Sequence, residues 1–233
     1  MNVPIYHYEV LPSTNAVAKE KIAAGEGFGI ILADRQTAGR GRLGRSFFSE
    51  NGIFMTAMIP MGSFKFPPML LTTAAAKAVS EAVRAEGFDA GIKWVNDIYV
   101  NDKKIAGILA EAVTKDGGIK GFAIGIGINV GKQDFPEEIR QIAGSLEGDG
   151  GLKARIFHSV VGNIAAVLSQ TAEEIVQYCT ENSMVLGKEI RFFGAKEGTG
   201  TAIALDENGG LVVKQENGEM LTLTGGEISV RFQ

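Results

Sequence analysis

An arginine- and glycine-rich run, residues 34–48 (DRQTAGRGRLGRSFF), most constrains what this chain can fold into. Arg35, Arg40, Arg42 and Arg45 fall within it, although the whole chain has a formal net charge of −4. Gly39, Gly41 and Gly44 are interleaved with the last three arginines and leave room for close approach. An apolar stretch, residues 28–33 (FGIILA), leads into the run and reads as a buried strand. The run itself cannot be core, because only Asp34 and Glu50 are near enough in sequence to pair with four guanidiniums. Like charges about 4 Å apart repel by about 4 kcal/mol at an effective dielectric of about 20. An ordered form of the loop therefore asks for an anion with several oxygens, and phosphate matches the planar fork of arginine. Two other readings stand beside it: a solvated arginine loop, and a patch for nucleic acid.

Composition narrows the choice. An acidic balance, with a pI of about 5.4, argues for a local anion site over a general nucleic-acid surface. The single cysteine, Cys179, excludes an internal disulfide and a cysteine metal cluster, and its apolar helical setting reads as a buried thiol. His7 and His158 are too few and too isolated for a zinc site. No secretory signal opens the chain, and no apolar run reaches the length of a membrane span, so a cytoplasmic protein without a membrane partner is expected. A length of 233 residues suits one large core with a small appendage.

Along the chain, a first strand at 5–10 precedes Ser13, a natural N-cap for a helix to about Ala24 with Gly25 as its stop. The Ser13-Thr14-Asn15 group at that helix start is also a ready hydrogen-bonding site for a small polar ligand. A strand at 52–60 follows the arginine run, and Pro67 opens a helix to about Glu86 with a small-residue stripe facing a sheet. Lys93 is the outlier in an otherwise apolar strand that ends at Trp94. It faces either solvent or a shared anion. A tight turn at Asn96-Asp97 and a hairpin at 101–103 come next. In the strand at 119–130, Gly125 and Gly127 alternate with apolar residues, which calls for close approach of a ligand or a backbone. These glycines do not form a strand-to-helix G-x-G-x-x-G turn, which excludes a Rossmann site. One long amphipathic helix is expected over 152–182. From Gly187 the pattern becomes five short strands with turns at Asn208-Gly209 and Asn217-Gly218, a small SH3-like barrel.

Six motifs in order give the chain a resemblance to a known family: Ser13-Thr14-Asn15, GRGRLGR at 39–45, KWVND at 93–97, KIAGIL at 104–109, GIGIN at 125–129 and GGEIS at 225–229. Over nearly its whole length it resembles the biotin protein ligases, and the arginine loop paired with the KWVND stretch is the specific part. The resemblance implies an α+β fold. Residues 1–184 would form a catalytic domain, a mixed or antiparallel sheet packed by helices of the class II synthetase-like kind, and residues 185–233 an SH3-like barrel.

It also implies a two-step reaction with ATP and biotin as substrates and Mg²⁺ on the phosphates. Biotin is activated as biotinyl-5′-AMP and passed to a lysine of a biotin carboxyl carrier domain. Lys93 and Arg42 would be the catalytic cations. Ser13, Thr14, Asn15, Gln36, Arg40, Gly41, Arg42 and Lys93 would hold biotin, and Arg45, Phe47, Lys104 and Asn129 the nucleotide. The resemblance names no metal ligands. Homodimerisation through the sheet is common in the family.

Three positions depart from the family pattern: Val95 stands for the usual proline, Phe47 for a frequent tryptophan, and Leu43 for a frequent base. None removes a group the chemistry needs. The first strand begins within ten residues of Met1, which leads to the expectation of a ligase without a DNA-binding module. A lipoate or octanoate ligase and a non-catalytic biotin sensor are the rival readings.

Overall fold

The structure is a computed structural model that describes residues 3–41, 44, 47–48, 51–194 and 196–230. In chain order come β1 (Ile5–Leu11), α1 (Thr14–Ala23), β2 (Gly29–Gln36), β3 (Ile53–Pro60), α2 (Leu71–Ala85), β4 (Gly91–Lys93), β5 (Asp97–Val100), β6 (Lys103–Lys115) and β7 (Gly118–Ile128). The strands form one sheet in the order β1-β2-β3-β7-β6-β5-β4. Only β1 and β2 are parallel, and α1 supplies the crossover that a parallel pair requires. All other neighbours are antiparallel, so the expected mixed sheet is observed.

Strand alternation sorts the residues into two layers. On β7 the even positions Phe122, Ile124, Ile126 and Ile128 join one core with Ala74, Ala75, Ala78, Val79, Ala82 and Val83 of α2. That face is also covered by α4 (Leu152–Val167) and α5 (Ala172–Glu181), which follow the short α3 (Glu137–Arg140). The opposite face is covered over part of its area by α1, whose Ala18 and Ile22 meet Ile31, Met58, Val113 and Ala123. Gly125 and Gly127 lie on this second face, beyond the reach of α1's apolar contacts. The functional cleft opens there.

Three sequence expectations are corrected. The single helix expected over 152–182 is two helices, because Thr171 and Glu174 form a capping box that starts a new one. The Glu174 amide donates to Thr171 Oγ1 at 3.2 Å, and the Thr171 amide donates to Glu174 Oε2 at 2.7 Å. Ser13 occupies the N-cap position of α1, but its side chain makes no capping bond. The helix expected from Pro67 begins as a 3-10 turn, Pro68–Leu70, before α2.

The α2–α5 seam holds a buried cation. Lys77, 6% exposed, is ion-paired with Glu81 one turn on, and its Nζ lies 4.1 Å from the centroid of the Tyr178 ring. Removing the ammonium would leave Glu81 unpaired and the ring without its partner. Lys77→Ala is therefore expected to lower stability by about 2 kcal/mol, read as a fall in the denaturation midpoint with an unchanged m-value. Beside it, burial pushes the Cys179 thiol up to about 12, so it stays protonated and inert.

The last five strands, β8 (Glu189–Phe193), β9 (Gly198–Leu205), β10 (Leu211–Gln215), β11 (Met220–Leu223) and β12 (Glu227–Val230), form a separate antiparallel sheet ordered β11-β10-β9-β8-β12. Its core of Ile190, Phe192, Ala202, Leu211, Val213, Leu223 and Ile228 takes in Trp94 from the first unit. The indole Nε1 donates to the Gly209 carbonyl at 2.9 Å. Gly209 has φ +76°, and a Cβ there would stand 2.9 Å from Leu70, so the Asn208-Gly209 turn wedges between Trp94 and the entry to α2. One residue thus ties the barrel to the strand that carries Lys93.

Candidate active site

The arginine loop grows from a closed base. Thr37 and Ala38 amides donate to the Leu11 and Pro12 carbonyls, each at 2.9 Å, and the Phe47 amide donates to the Gly39 carbonyl at 2.9 Å. The ends of β1 and β2 therefore fix where the loop leaves and returns. Arg40 and Gly41 line a cleft of about 270 Å³ on the sheet's open face. Arg42 and Arg45, singled out from the sequence, lie outside the described residues.

One end of the cleft is polar and buried. Ser13, Thr14 and Asn15, from the start of α1, are 6%, 3% and 5% exposed. Gln36 at the end of β2 accepts the Thr14 amide at 2.9 Å. Asn15 Nδ2 donates to Glu111 Oε2 at 2.7 Å, and Glu111 is ion-paired with Lys19 at 2.7 Å. Burial works against the charge on Glu111, but the bonds from Lys19 and Asn15 outweigh it and hold the carboxyl below its ordinary range. Gly125 makes this arrangement possible, since a Cβ there would stand 2.3 Å from Asn15 Oδ1. The sequence pattern had asked for a ligand or a backbone at this glycine; a side chain of the site takes the space.

The other end is cationic. The β4–β5 register pairs Lys93 with Asp97, and the β5–β6 register pairs Tyr99 with Lys104. Since Ile92 and Ile98 point into the core, Lys93, Asp97 and Tyr99 share the cleft face. Lys104 Nζ lies 2.7 Å from Asp97 Oδ1, and Lys93 Nζ lies 5.4 Å from the Tyr99 ring centroid. Burial, aided by the Asp97 charge, pushes the Tyr99 phenol up to about 12, so it stays neutral.

Between the two ends runs an apolar slot. The Phe47 ring stands edge-on to Phe54 at 6.4 Å and lies over Gly127, where a Cβ would be 2.5 Å from it. Ile142, 57% exposed, lines the same slot from a segment docked on β6 by the Lys104 amide to the Ile142 carbonyl at 2.8 Å. Asn129 is not part of the cleft wall. Its Nδ2 donates to the Gly144 carbonyl at 2.9 Å behind that segment, and its buried Oδ1 has no partner among the described residues.

The cleft thus brings together Ser13, Thr14, Asn15, Gln36, Arg40, Gly41, Phe47, Lys93 and Lys104 of the residues picked from sequence. Sequence reasoning missed Thr56, Glu111, Tyr99, Ile142 and Ile228. Glu111 and Thr56 sit in apolar strand patterns, where an isolated polar residue was the available signal. Ile228 reaches the cleft from the barrel, which no local pattern could reveal. The Trp94–Val95 peptide is cis at the position where proline had been expected.

This architecture is that of the biotin protein ligases. The structure titled biotin protein ligase from Aquifex aeolicus in complex with biotin and ATP matches it with a TM-score of 0.82 at 27% identity, over 99% of both chains. The chain belongs to the biotin/lipoate A/B protein ligase family, whose model matches residues 7–129, and residues 185–231 match the biotin protein ligase C-terminal domain. The bifunctional ligase/repressor BirA of Bacillus subtilis is 42% identical over 156 residues, covering 64% of this chain and 47% of that protein. A biotin–[acetyl-CoA-carboxylase] ligase of Paracoccus denitrificans is 36% identical over 123 residues, 51% of each chain. The chain spans about half the length of these curated relatives. Among the described residues no helix is long and apolar enough to cross a membrane.

Proposed function

We propose that this chain is an ATP-dependent biotin protein ligase. The observation that carries the reading is one cleft lined by Arg40, with a buried polar pocket at one end and Lys93 and Lys104 towards the other. A carboxylic acid with a polar head fits it lengthwise, with the carboxylate delivered to the cations. In the first step a carboxylate oxygen of biotin bonds to the α-phosphorus of ATP and the bond to pyrophosphate breaks. Two anions must meet for this, so fixed cations offset their repulsion and stabilise charge building on the α-phosphate.

Lys93 and Arg42 take that role, together with Arg40. Ser13, Thr14, Asn15, Gln36 and Gly41 bind or support the biotin head. Arg45, Phe47 and Lys104 serve the nucleotide, with Phe47 and Ile142 offering apolar faces to the base, while Asn129 acts from behind the wall by holding the Gly144 carbonyl. Mg²⁺ enters with ATP. No cluster of three or more acidic, histidine or cysteine ligands occurs among the described residues, and magnesium held by phosphates, water and one carboxylate needs none. Asp97 is the carboxylate at hand.

In the second step the amine of a carrier-domain lysine attacks the acyl carbon. The C–N bond forms, AMP leaves with the electron pair of the broken anhydride bond, and the amine gives up a proton. Residues 1–184 carry this chemistry and 185–233 form the docked barrel. The acceptor is the biotin carboxyl carrier domain of a carboxylase in the cytoplasm. The acidic balance supports a ligase without a DNA-binding role, and a homodimer through the sheet is part of the reading.

The test is ATP–pyrophosphate exchange with biotin, with lipoate and with neither. Exchange with biotin alone supports the reading, exchange with lipoate alone moves the chain to the lipoate branch, and no exchange leaves a binder. In the same assay Gly125→Ala is expected to raise the biotin KM on the order of 100-fold with little change in kcat, because the added methyl displaces Asn15 from the head pocket. An unchanged KM would contradict the assigned location of that pocket.

A further inference from the structure

We infer that Lys103 is a positioning residue for the nucleotide: it clips the segment 140–146 against β6 and so holds Ile142 over the slot. The inference rests on the ligase reading, which places Ile142 beside the base.

The two adjacent lysines at the start of β6 go to different places. Lys104 enters the cleft and pairs with Asp97 at 2.7 Å. The Lys103 Nζ donates instead to the Gln141 carbonyl and, at 3.4 Å, to the Arg140 carbonyl. These are the carbonyls at which the four-residue α3 ends, groups that a helix cannot satisfy from within and that a cation suits.

The fit is close. A Cβ on Gly144 would stand 2.5 Å from the Lys103 Cβ, so the segment lies directly on the lysine stem. Backbone bonds continue the contact, from the Lys104 amide to the Ile142 carbonyl at 2.8 Å and from the Gly144 amide to the Lys104 carbonyl at 2.9 Å. Ile142 projects from this stretch into the cleft and is 57% exposed. A side chain so exposed gains little from packing, and its place is set by the backbone that carries it.

The Lys103 bonds are at exposed positions, where water competes for the carbonyls and local opening is cheap. A site complete only in the docked form binds its ligand in proportion to the docked fraction. Lys103 raises that fraction without lining the cleft itself. The rest of the cleft has other supports. Lys104 stays in register with Tyr99 of β5, Lys93 ends β4, and the head pocket stands on α1 and β2. Loss of the clip should therefore be felt by the base alone.

The test is biotin-dependent ATP–pyrophosphate exchange by the full chain and by Lys103→Met, which keeps the stem and removes the ammonium. The KM for ATP is expected to rise about 10-fold, with kcat and the KM for pyrophosphate within about twofold of native. Biotin binding, measured by calorimetry without ATP, should be unchanged. Lys103→Arg, whose guanidinium can serve both carbonyls, should bring the ATP KM back to within about threefold of native. Gly144→Ala pushes the segment off the lysine stem and should raise the ATP KM by a similar factor. A native ATP KM in Lys103→Met would overturn the inference and leave the ligase reading standing, as would a loss spread evenly over ATP, pyrophosphate and biotin. A native chain without biotin-dependent exchange would overturn the ligase reading and the inference with it.

Discussion

Lys93→Met is expected to lower biotin-dependent pyrophosphate exchange about a thousandfold while the denaturation midpoint stays that of the native chain. Methionine keeps the length and volume of the side chain and removes only its charge. Lys93 is at the end of β4, on the cleft face, with its neighbours Ile92 and Trp94 buried on either side. The backbone that aims it is therefore anchored in two cores and should not move. A preorganised group that meets charge as it develops is worth about 10²–10³ in rate. The loss should appear equally in kcat and kcat/KM, the mark of an interaction made in the transition state. Near-native exchange would refute the role given to Lys93.

The second large effect concerns how the barrel is held. Trp94→Ala removes a ring from the barrel core together with its bond to the Gly209 carbonyl, and a loss of about 3–5 kcal/mol is expected. A sheet of five short strands has little core to spare, so the weakened barrel should become sensitive to proteolysis before the main sheet does. Trp94→Phe retains most of the packing and should lose only about 1 kcal/mol with the hydrogen bond. Because Trp94 is the only tryptophan, native fluorescence reports the junction directly. Its emission should shift to the red in the native chain as the barrel is released by denaturant. Unchanged proteolysis and stability in Trp94→Ala would sink this account of the junction.

Much of the layout was legible in local pattern. The α2 stripe was readable because small apolar residues recur at helical spacing, and every expected member is buried. The barrel strands were readable because Asn-Gly turns punctuate alternating runs; Gly209 and Gly218 have the positive φ such turns require. The 152–182 region was misread where two helices share one amphipathic period. A Thr-x-x-Glu capping box at Thr171 was present and overrides the period, since it satisfies the amides of a new helix start.

The sequence by itself determined the chemical inventory: an arginine-glycine loop after a strand, a lysine in an apolar strand, hydroxyl and amide groups at a helix start, and a terminal barrel. Those follow from composition and short-range spacing, which the chain carries locally. Only the tertiary structure decided which of these groups meet. Glu111 reaches Asn15 across 96 positions, and Trp94 reaches Gly209 across 115. Such contacts depend on sheet order and register, and a register shift of one residue would turn Gly125, Glu111 and Lys93 away from the cleft.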